Sequence, residues 1–171
     1  MAVIAFFSSL FSGNTDKPYY KNDYTVPSNE IPYQRIDKTP ETDWKANFIW
    51  DSSDGSEENV WMCLRKTVDI EQVPETLIAH ISADSKYWLW INGNTAVFEG
   101  GLKRGPSLND GYYDSVDIAP YLKSGKNIIC ALVWYWGKDT SFSNSDSGKA
   151  GFIFEADNII TDNSWKVHRL S

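Results

Sequence analysis

Apolar and polar residues alternate with a period of two through much of the chain after residue 48. In residues 76–84 one face carries Leu77, Ala79, Ile81 and Ala83, and the other carries Ile78, His80, Ser82 and Asp84. Strict alternation of this kind is typical of a half-buried β-strand. Residues 86–91 repeat it, and Asn92-Gly93 then tolerates the positive φ of a tight hairpin turn. The pattern therefore predicts a strand, a second strand and a hairpin in succession.

Further β-rich runs occupy residues 61–70, 95–98, 112–118, 128–136, 150–156 and 165–168. Turn-forming residues separate them, and residues 120–123 form one short helical turn at most. About eight or nine short strands without a convincing helix are typical of an antiparallel sandwich or barrel. We therefore predict an all-β domain over residues 44–171.

Residues 1–43 differ from this pattern. The polar part after residue 14 contains Pro18, Pro27, Pro32 and Pro40, which interrupt both helices and strand ladders. We interpret it as a linker or as a strap that its tyrosines anchor to the domain. The apolar first 11 residues resemble the hydrophobic half of a secretory signal without its positively charged start. A signal with an atypical start, a clipped gene start and an ordinary apolar segment all remain open. The secretory alternatives predict a periplasmic or secreted protein.

Composition narrows the function classes. Aromatic residues make up 15% of the chain, with 8 Trp, which favours strands and suits stacking against sugar rings, although ordinary core packing explains many of them. A net charge of −7 without a basic cluster argues against a nucleic-acid partner. No run reaches the roughly 20 apolar residues of a membrane span. Cys63 and Cys130 lie in apolar runs, so we expect buried thiols, and a single disulfide remains open.

Residues 83–151 resemble a known family. The hairpin Trp-Leu-Trp-Ile-Asn-Gly at 88–93 is followed by Asp-Ile-Ala-Pro-Tyr-Leu-Lys-Ser-Gly-Lys-Asn at 117–127. This pair is similar to motifs of galactose-binding-like sandwiches attached to glycoside hydrolases. The loop Gly-Gly-Leu-Lys-Arg-Gly-Pro at 100–106 and the run Trp-Tyr-Trp-Gly-Lys-Asp at 134–139 resemble more narrowly the N-terminal jelly-roll domain of bacterial α-L-rhamnosidases. The resemblance covers residues 44–169.

That resemblance implies an antiparallel jelly-roll β-sandwich that belongs to a multidomain hydrolase of terminal α-L-rhamnosides. In the family the catalytic carboxylates lie in an α/α-barrel, and they have no counterparts in these residues. We therefore expect a non-catalytic accessory or carbohydrate-binding domain, either as a fragment of a longer enzyme or as a short gene product. The expected partners are rhamnose-containing glycans, the catalytic domain of a parent hydrolase, or both. The alternative is a purely structural module that braces a catalytic domain.

Four tryptophans are candidate sugar contacts. If Leu89 and Ile91 face the core, Trp88 and Trp90 face away from it, and adjacent exposed indoles usually mark an interface. A sugar, a covering loop or strap, and another domain are all suitable occupants of such a surface. The same question applies to Trp134 and Trp136.

The two long polar loops provide the other candidates. Long loops within compact domains are often functional. The side chains suited to hydrogen bonds with vicinal hydroxyls are Lys103, Arg104, Asn109 and Asp110 in the first loop, and Lys138 and Asp139 in the second. The alternative is that Arg104 and Asp110 pair with each other and steady their own loop.

Other chemistry has little support in the sequence. Asp51, Asp54 and Glu57 form an acidic loop that could hold a structural Ca²⁺, but spacing alone fits a solvated loop as well, so we predict no cofactor. His80 and His168 show no ligand pattern. A glycosidase needs two facing carboxyl groups about 5–9 Å apart, and no recognisable pair stands out. We expect this chain alone to lack a catalytic site.

Overall fold

The computed structural model describes residues 33–35, 44–101, 112–137 and 150–170. Within these ranges the regular structure is ten β-strands and one short 3-10 helix at Ala119–Tyr121, with no α-helix. The strands are β1 (Tyr33–Arg35), β2 (Val60–Ile70), β3 (Ile78–Asp84), β4 (Lys86–Ile91), β5 (Asn94–Gly100), β6 (Tyr112–Asp117), β7 (Gly125–Tyr135), β8 (Gly151–Ala156), β9 (Ile159–Ile160) and β10 (Lys166–Leu170).

The strands form two five-stranded antiparallel sheets. Sheet A has the order β1-β6-β3-β8-β9, and sheet B has the order β10-β2-β7-β4-β5. Most connections cross from one sheet to the other, and only β4–β5 and β8–β9 are hairpins within a sheet, which is jelly-roll connectivity. The predicted all-β antiparallel sandwich is therefore confirmed.

The core lies between the two sheets because alternate residues of each strand point inward. Tyr87, Leu89 and Ile91 of β4 are fully buried, whereas the residues between them are half-buried on the outer face. Trp165 closes one side of the core, with its ring centroid 5.9 Å from the rings of both Phe152 and Phe154. Burial of each large apolar side chain contributes about 1.5–3 kcal/mol, so the inward rows of both sheets stabilise the sandwich.

One end of the sandwich, which we call the turn end, carries the short connections. Asn127 is fully buried there, and its Nδ2 donates to the carbonyl oxygens of Lys123 and Gly125 at 2.7 and 2.8 Å. Its Oδ1 accepts from the backbone N–H of Lys123 and from Nδ2 of Asn92, the first residue of the β4–β5 turn. Asn92 in turn accepts from the N–H of Ile128. This network joins two turns that are distant in sequence.

The opposite end, which we call the loop end, carries the long connections. Here β5 ends before residues 102–111 and β7 ends before residues 138–149, two segments outside the described residues. The loop before β2 also lies at this end, because Asn59 N–H donates to Trp136 O and Ala150 N–H donates to Gly55 O. The described residues next to both of these segments therefore lie on the same rim as the loop before β2.

Some boundaries differ from those predicted. β7 begins at Gly125 rather than at Ile128, because polar residues at its start still pair with β2. β9 is too short for a periodic signal, and β1 falls within the predicted strap of residues 1–43, where it pairs with β6. The rest of residues 1–43 lies outside the described residues.

The two cysteines are buried free thiols on neighbouring strands. Cys63 pairs with Leu132 and Cys130 pairs with Arg65, so the thiols are diagonal rather than opposite. Burial raises the pKa of each thiol to about 12. Both groups are therefore protonated and unreactive at neutral pH.

Candidate functional site

Ser85 joins the bases of the two long loops at the loop end. It follows β3 directly and is fully buried. Its Oγ accepts from the backbone N–H of Trp136 at 3.1 Å, one residue before Gly137. A Cβ on Gly101, the last described residue before the first long loop, would lie only 2.7 Å from the Ser85 carbonyl oxygen. The two loops therefore leave the sandwich side by side.

Two carboxylates support these loop bases from inside the sandwich. Asp114 is 2% exposed, and its Oδ2 accepts from the Tyr87 hydroxyl at 2.6 Å and from the N–H of Gly101 at 3.2 Å. Asp84 is 7% exposed and accepts from the Ser85 hydroxyl at 3.2 Å. Each carboxylate bonds to neighbouring protein groups, so the pair supports the rim of the sandwich.

Glycines permit the close packing of this rim. A Cβ on Gly100 would stand 2.4 Å from the Tyr87 ring and 2.7 Å from Asp114 Oδ2. Gly101 has a φ of 99°, which side chains rarely tolerate. The Gly-Gly pair of the motif therefore has a structural role where the first loop leaves β5.

The acidic loop before β2 contacts an arginine. Asp51 Oδ2 accepts from Arg169 Nε at 2.9 Å, and Glu57 pairs with Nη1 of the same guanidinium. Desolvation raises the pKa of Asp51, but hydrogen bonds from Ser53 and the charge of Arg169 outweigh it and hold that pKa below its usual value. Asp54 accepts from Ser56. In the described ranges no three His, Cys, Asp or Glu residues form a group suited to a metal ion.

The outer face of sheet B carries a row of packed tryptophans, which we call the indole strip: Trp61, Trp88 and Trp134. The Trp61 ring stacks on Trp88 and on Trp134, with centroids 5.7 Å apart in both pairs and interplanar angles of 22° and 23°. Lys86 Nζ lies 5.6 Å from the Trp134 centroid. Because these ring faces contact one another or a cation, the strip presents fewer ring faces than its composition suggests.

The predicted indoles lie where the alternation placed them. Trp88 and Trp90 are half-buried on the outer face of β4, and Trp134 lies on the same face of β7. Trp136 follows the end of β7 at the loop end, and its ring packs against Trp134. Trp61 was not among the predicted residues. It precedes the buried Met62 on β2 and therefore points to the other face of the strand, which is the same period-two signal. The six predicted loop residues lie outside the described residues: Lys103, Arg104, Asn109, Asp110, Lys138 and Asp139.

The outer face of sheet A holds a second aromatic group that the sequence reasoning missed. His80 packs edge-on against Tyr113, with centroids 4.9 Å apart, and against Trp44 at 6.3 Å. His80 Nδ1 lies 3.1 Å from Ser115 Oγ. Burial lowers the pKa of His80, and the charge of Glu155 opposes that effect. The period-two pattern already placed His80 on an outer face, but it could not reveal these partners.

No helix in the described part of the chain has the length and apolarity to cross a membrane. No protein-family model matches the chain. No curated protein matches it either.

Solved structures do match. A GH78 family rhamnosidase of Bacillus sp. GL1 is 34% identical with a TM-score of 0.64, over 74% of this chain and 14% of that enzyme. An α-L-rhamnosidase of Streptomyces avermitilis is 18% identical with a TM-score of 0.53, over 81% of this chain and 14% of that enzyme. A lectin of Pleurotus ostreatus is 25% identical with a TM-score of 0.51, over 73% of this chain and 35% of the lectin.

These comparisons confirm the resemblance to α-L-rhamnosidases. The Streptomyces enzyme, at 18% identity, supports the fold alone. The chain spans about one seventh of the length of either rhamnosidase, since it covers 14% of each. It is therefore similar to one domain-sized part of such an enzyme.

Proposed function

We propose that this chain is a non-catalytic, carbohydrate-binding accessory domain of an α-L-rhamnosidase-like glycoside hydrolase, and that it contacts sugar at the loop end. The observation that carries the proposal is the junction at Ser85, which brings the bases of both long loops together. Similarity to part of a rhamnosidase and to a lectin supports the class of ligand. The parent enzyme would hydrolyse terminal α-L-rhamnosides.

The chemistry of the loops suits a polyhydroxylated ligand. Lys103, Arg104 and Lys138 supply donors, whereas Asp110 and Asp139 supply acceptors, and Asn109 supplies both. Loops held by a rigid sandwich are a common location for binding residues. Trp134 and Trp136 stand at the base of the second loop, where an indole could contact the apolar face of a sugar ring.

The two buried carboxylates described at the loop end support a binding role over a catalytic one. Hydrolysis requires two carboxyl groups that flank a sugar, one of which activates water or attacks the anomeric carbon. Asp84 and Asp114 are instead buried and hydrogen-bonded to Ser85 and Tyr87. Neither is available to a substrate without disruption of the rim.

Calorimetric titration of the whole chain with L-rhamnose and with rhamnosylated oligosaccharides tests the proposal. We expect dissociation constants of order millimolar, equivalent to about 4 kcal/mol of binding free energy. The double variant Arg104→Ala/Lys138→Ala should weaken binding about tenfold or more, since it removes charged hydrogen-bond donors from both loops. Lys126→Ala, an exposed residue at the turn end, is the matched control and should bind as the parent does. Equal affinity of the double variant and the control would refute the proposed location.

A structural module that packs on another domain is a second candidate, and the indole strip favours it. Its rings stack against one another, so the strip offers apolar edges suited to protein packing. The variant Trp88→Glu, which introduces a negative charge into the strip, should then weaken association with a separately expressed neighbouring domain of the parent enzyme and leave sugar affinity unchanged. Loss of sugar affinity with intact domain association would favour the strip as a sugar platform instead.

A further inference from the structure

We propose that the outer face of sheet A holds a second carbohydrate-contact site, built by His80, Trp44 and Tyr113, which binds a neutral pyranoside. This inference rests on the proposed carbohydrate-binding function but concerns the opposite sheet from the indole strip and residues outside the long loops. The group draws its members from β3, from β6 and from the segment before β2.

The rings of the group are held at steep angles to one another. Trp44 and Tyr113 meet at 90° with centroids 5.7 Å apart, and His80 meets Tyr113 at 86°. All three residues are half-buried. Because each side chain is partly exposed, the group presents aromatic surface to solvent. Aromatic surface of this kind suits the apolar C–H face of a pyranose.

His80 supplies a polar atom in this aromatic group. In the described part of the chain, its ring makes one hydrogen bond, from Nδ1 to Ser115 Oγ, which leaves Nε2 for a ligand. The imidazole tautomer fixes whether Nε2 donates or accepts, and a sugar hydroxyl can take either role. Burial keeps His80 neutral at pH 7, since it lowers the pKa below the ordinary value of 6.5. Nε2 is therefore suited to an uncharged hydroxyl.

Hydrogen bonds tie the segment that carries Trp44 to sheet A. Glu155 Oε2 accepts from the backbone N–H groups of Lys45 and Ala46 at 2.8 and 2.9 Å, which fixes the backbone that carries Trp44. Asn47 N–H donates to Thr161 O, and Thr161 Oγ1 donates to Asn47 O. The hydrogen bonds of residues 45–47 thus hold the Trp44 ring over sheet A. A preorganised binding surface requires a side chain held in this way.

Charge selects the ligand class. Glu155 is the acidic group that faces His80 from β8, and it disfavours phosphates and other anions. Ile78, on the same face two residues before His80, is 42% exposed and extends the apolar surface. A neutral ring with both hydroxyls and apolar faces matches this combination better than an anion does.

NMR of the whole chain at pH 7 tests the site through the His80 ring and the Trp44 indole N–H, titrated with L-rhamnose and separately with D-galactose. We expect saturable shifts of the His80 Cε1–H and Trp44 Nε1–H signals with one of these sugars. His80→Gln should weaken this binding by about threefold to tenfold, the effect of one imperfectly replaced hydrogen bond. His168→Gln, an exposed histidine on β10, is the matched control and should leave the Trp44 shift unchanged.

The same titration separates this inference from the proposed function. If Arg104→Ala/Lys138→Ala abolishes shifts at the loop end and the His80 and Trp44 shifts persist, the sheet A site is supported independently. If sugar shifts only the loop end and leaves the His80 and Trp44 signals unchanged, the sheet A site is wrong and the loop-end proposal stands. Absence of any sugar-dependent shift at His80 in a folded protein therefore overturns the inference.

Discussion

The turn end and the loop end of this sandwich both bury polar side chains, but they use them differently. At the turn end, Asn127 and Asn92 bond to the backbone of short connections. At the loop end, Ser85 and Asp114 bond to the bases of long loops, at Trp136 and Gly101. Buried polar groups that close short turns serve the fold alone, whereas those beneath long loops also position whatever the loops carry.

The largest expected effect comes from a break at the turn end. Asn127→Ala removes a buried amide that makes four hydrogen bonds. Its lost partners are the carbonyl oxygens of Lys123 and Gly125, the N–H of Lys123 and Nδ2 of Asn92. We expect a loss of about 3 kcal/mol of unfolding free energy, because each unsatisfied buried group costs about 1–3 kcal/mol. Urea denaturation measures this loss. Asn158→Ala, in the exposed β8–β9 turn, should change stability by less than about 0.5 kcal/mol.

The variant Asn127→Ala also separates the roles of the two ends of the sandwich. Under conditions where Asn127→Ala remains folded, its sugar affinity should match that of the parent chain, since the turn end lies away from both long loops. A large loss of affinity without unfolding would contradict the division of roles between the ends.

A smaller stability effect and a larger binding effect are expected at the loop end. Ser85→Ala removes the acceptor for Trp136 N–H and one donor to Asp84. We expect a loss of about 1.5 kcal/mol of unfolding free energy, because a buried polar group left without its partner costs about 1–3 kcal/mol. Because the base of the second loop loses its bond to Ser85, sugar affinity should also fall several-fold. Ser124→Ala, exposed at the turn end, is the control and should change neither quantity.

The smallest expected effect is a pH dependence that arises on sheet A, away from both ends. The folded-state pKa of His80 lies below the unfolded value of 6.5 because of burial, against the opposing charge of Glu155 from β8. The unfolded chain therefore binds this proton first, so His80 leaves stability unaffected well above pH 6.5 and lowers it as the pH falls below that value. Ser115 and Tyr113 from β6 and Trp44 are the uncharged groups that also contact the ring.

Thermal unfolding of the parent chain and of His80→Gln between about pH 7.5 and pH 5 measures this contribution, because the glutamine does not titrate. The parent should lose stability more steeply than the variant as the pH falls. Parallel curves for the two proteins would show that His80 is not buried as described.

Much of the fold could be predicted from period-two alternation. The alternation placed Leu89 and Ile91 on one face of the strand and Trp88 and Trp90 on the other, because a pleated strand sends successive side chains to opposite faces. The structure shows that Leu89 and Ile91 are the pair that faces the core. The Asn92-Gly93 hairpin is confirmed by positive φ at both residues. β9 could not be predicted in this way, because a two-residue strand has no period.

The site was less predictable because it depends on pairings between distant parts of the chain. Ser85 and Trp136 are 51 residues apart, and the polar character of Ser85 alone does not indicate that it touches the second loop. His80 and Ser115 meet because β3 pairs with β6, a register that no local pattern specifies. The parallel stacking of Trp61 on two other indoles likewise follows from sheet order, whereas the sequence indicated only that the indoles face outward.

The most direct test of the central claim is an NMR map of backbone amide shifts on addition of L-rhamnose to the whole chain. The account predicts saturable shifts at the loop end, at Gly101, Trp136 and Ala150, with no shifts at Asn92 and Asn127 of the turn end. Shifts at the turn end, or unchanged loop-end amides at about 100 mM sugar, far above the roughly millimolar dissociation constant expected, would contradict it.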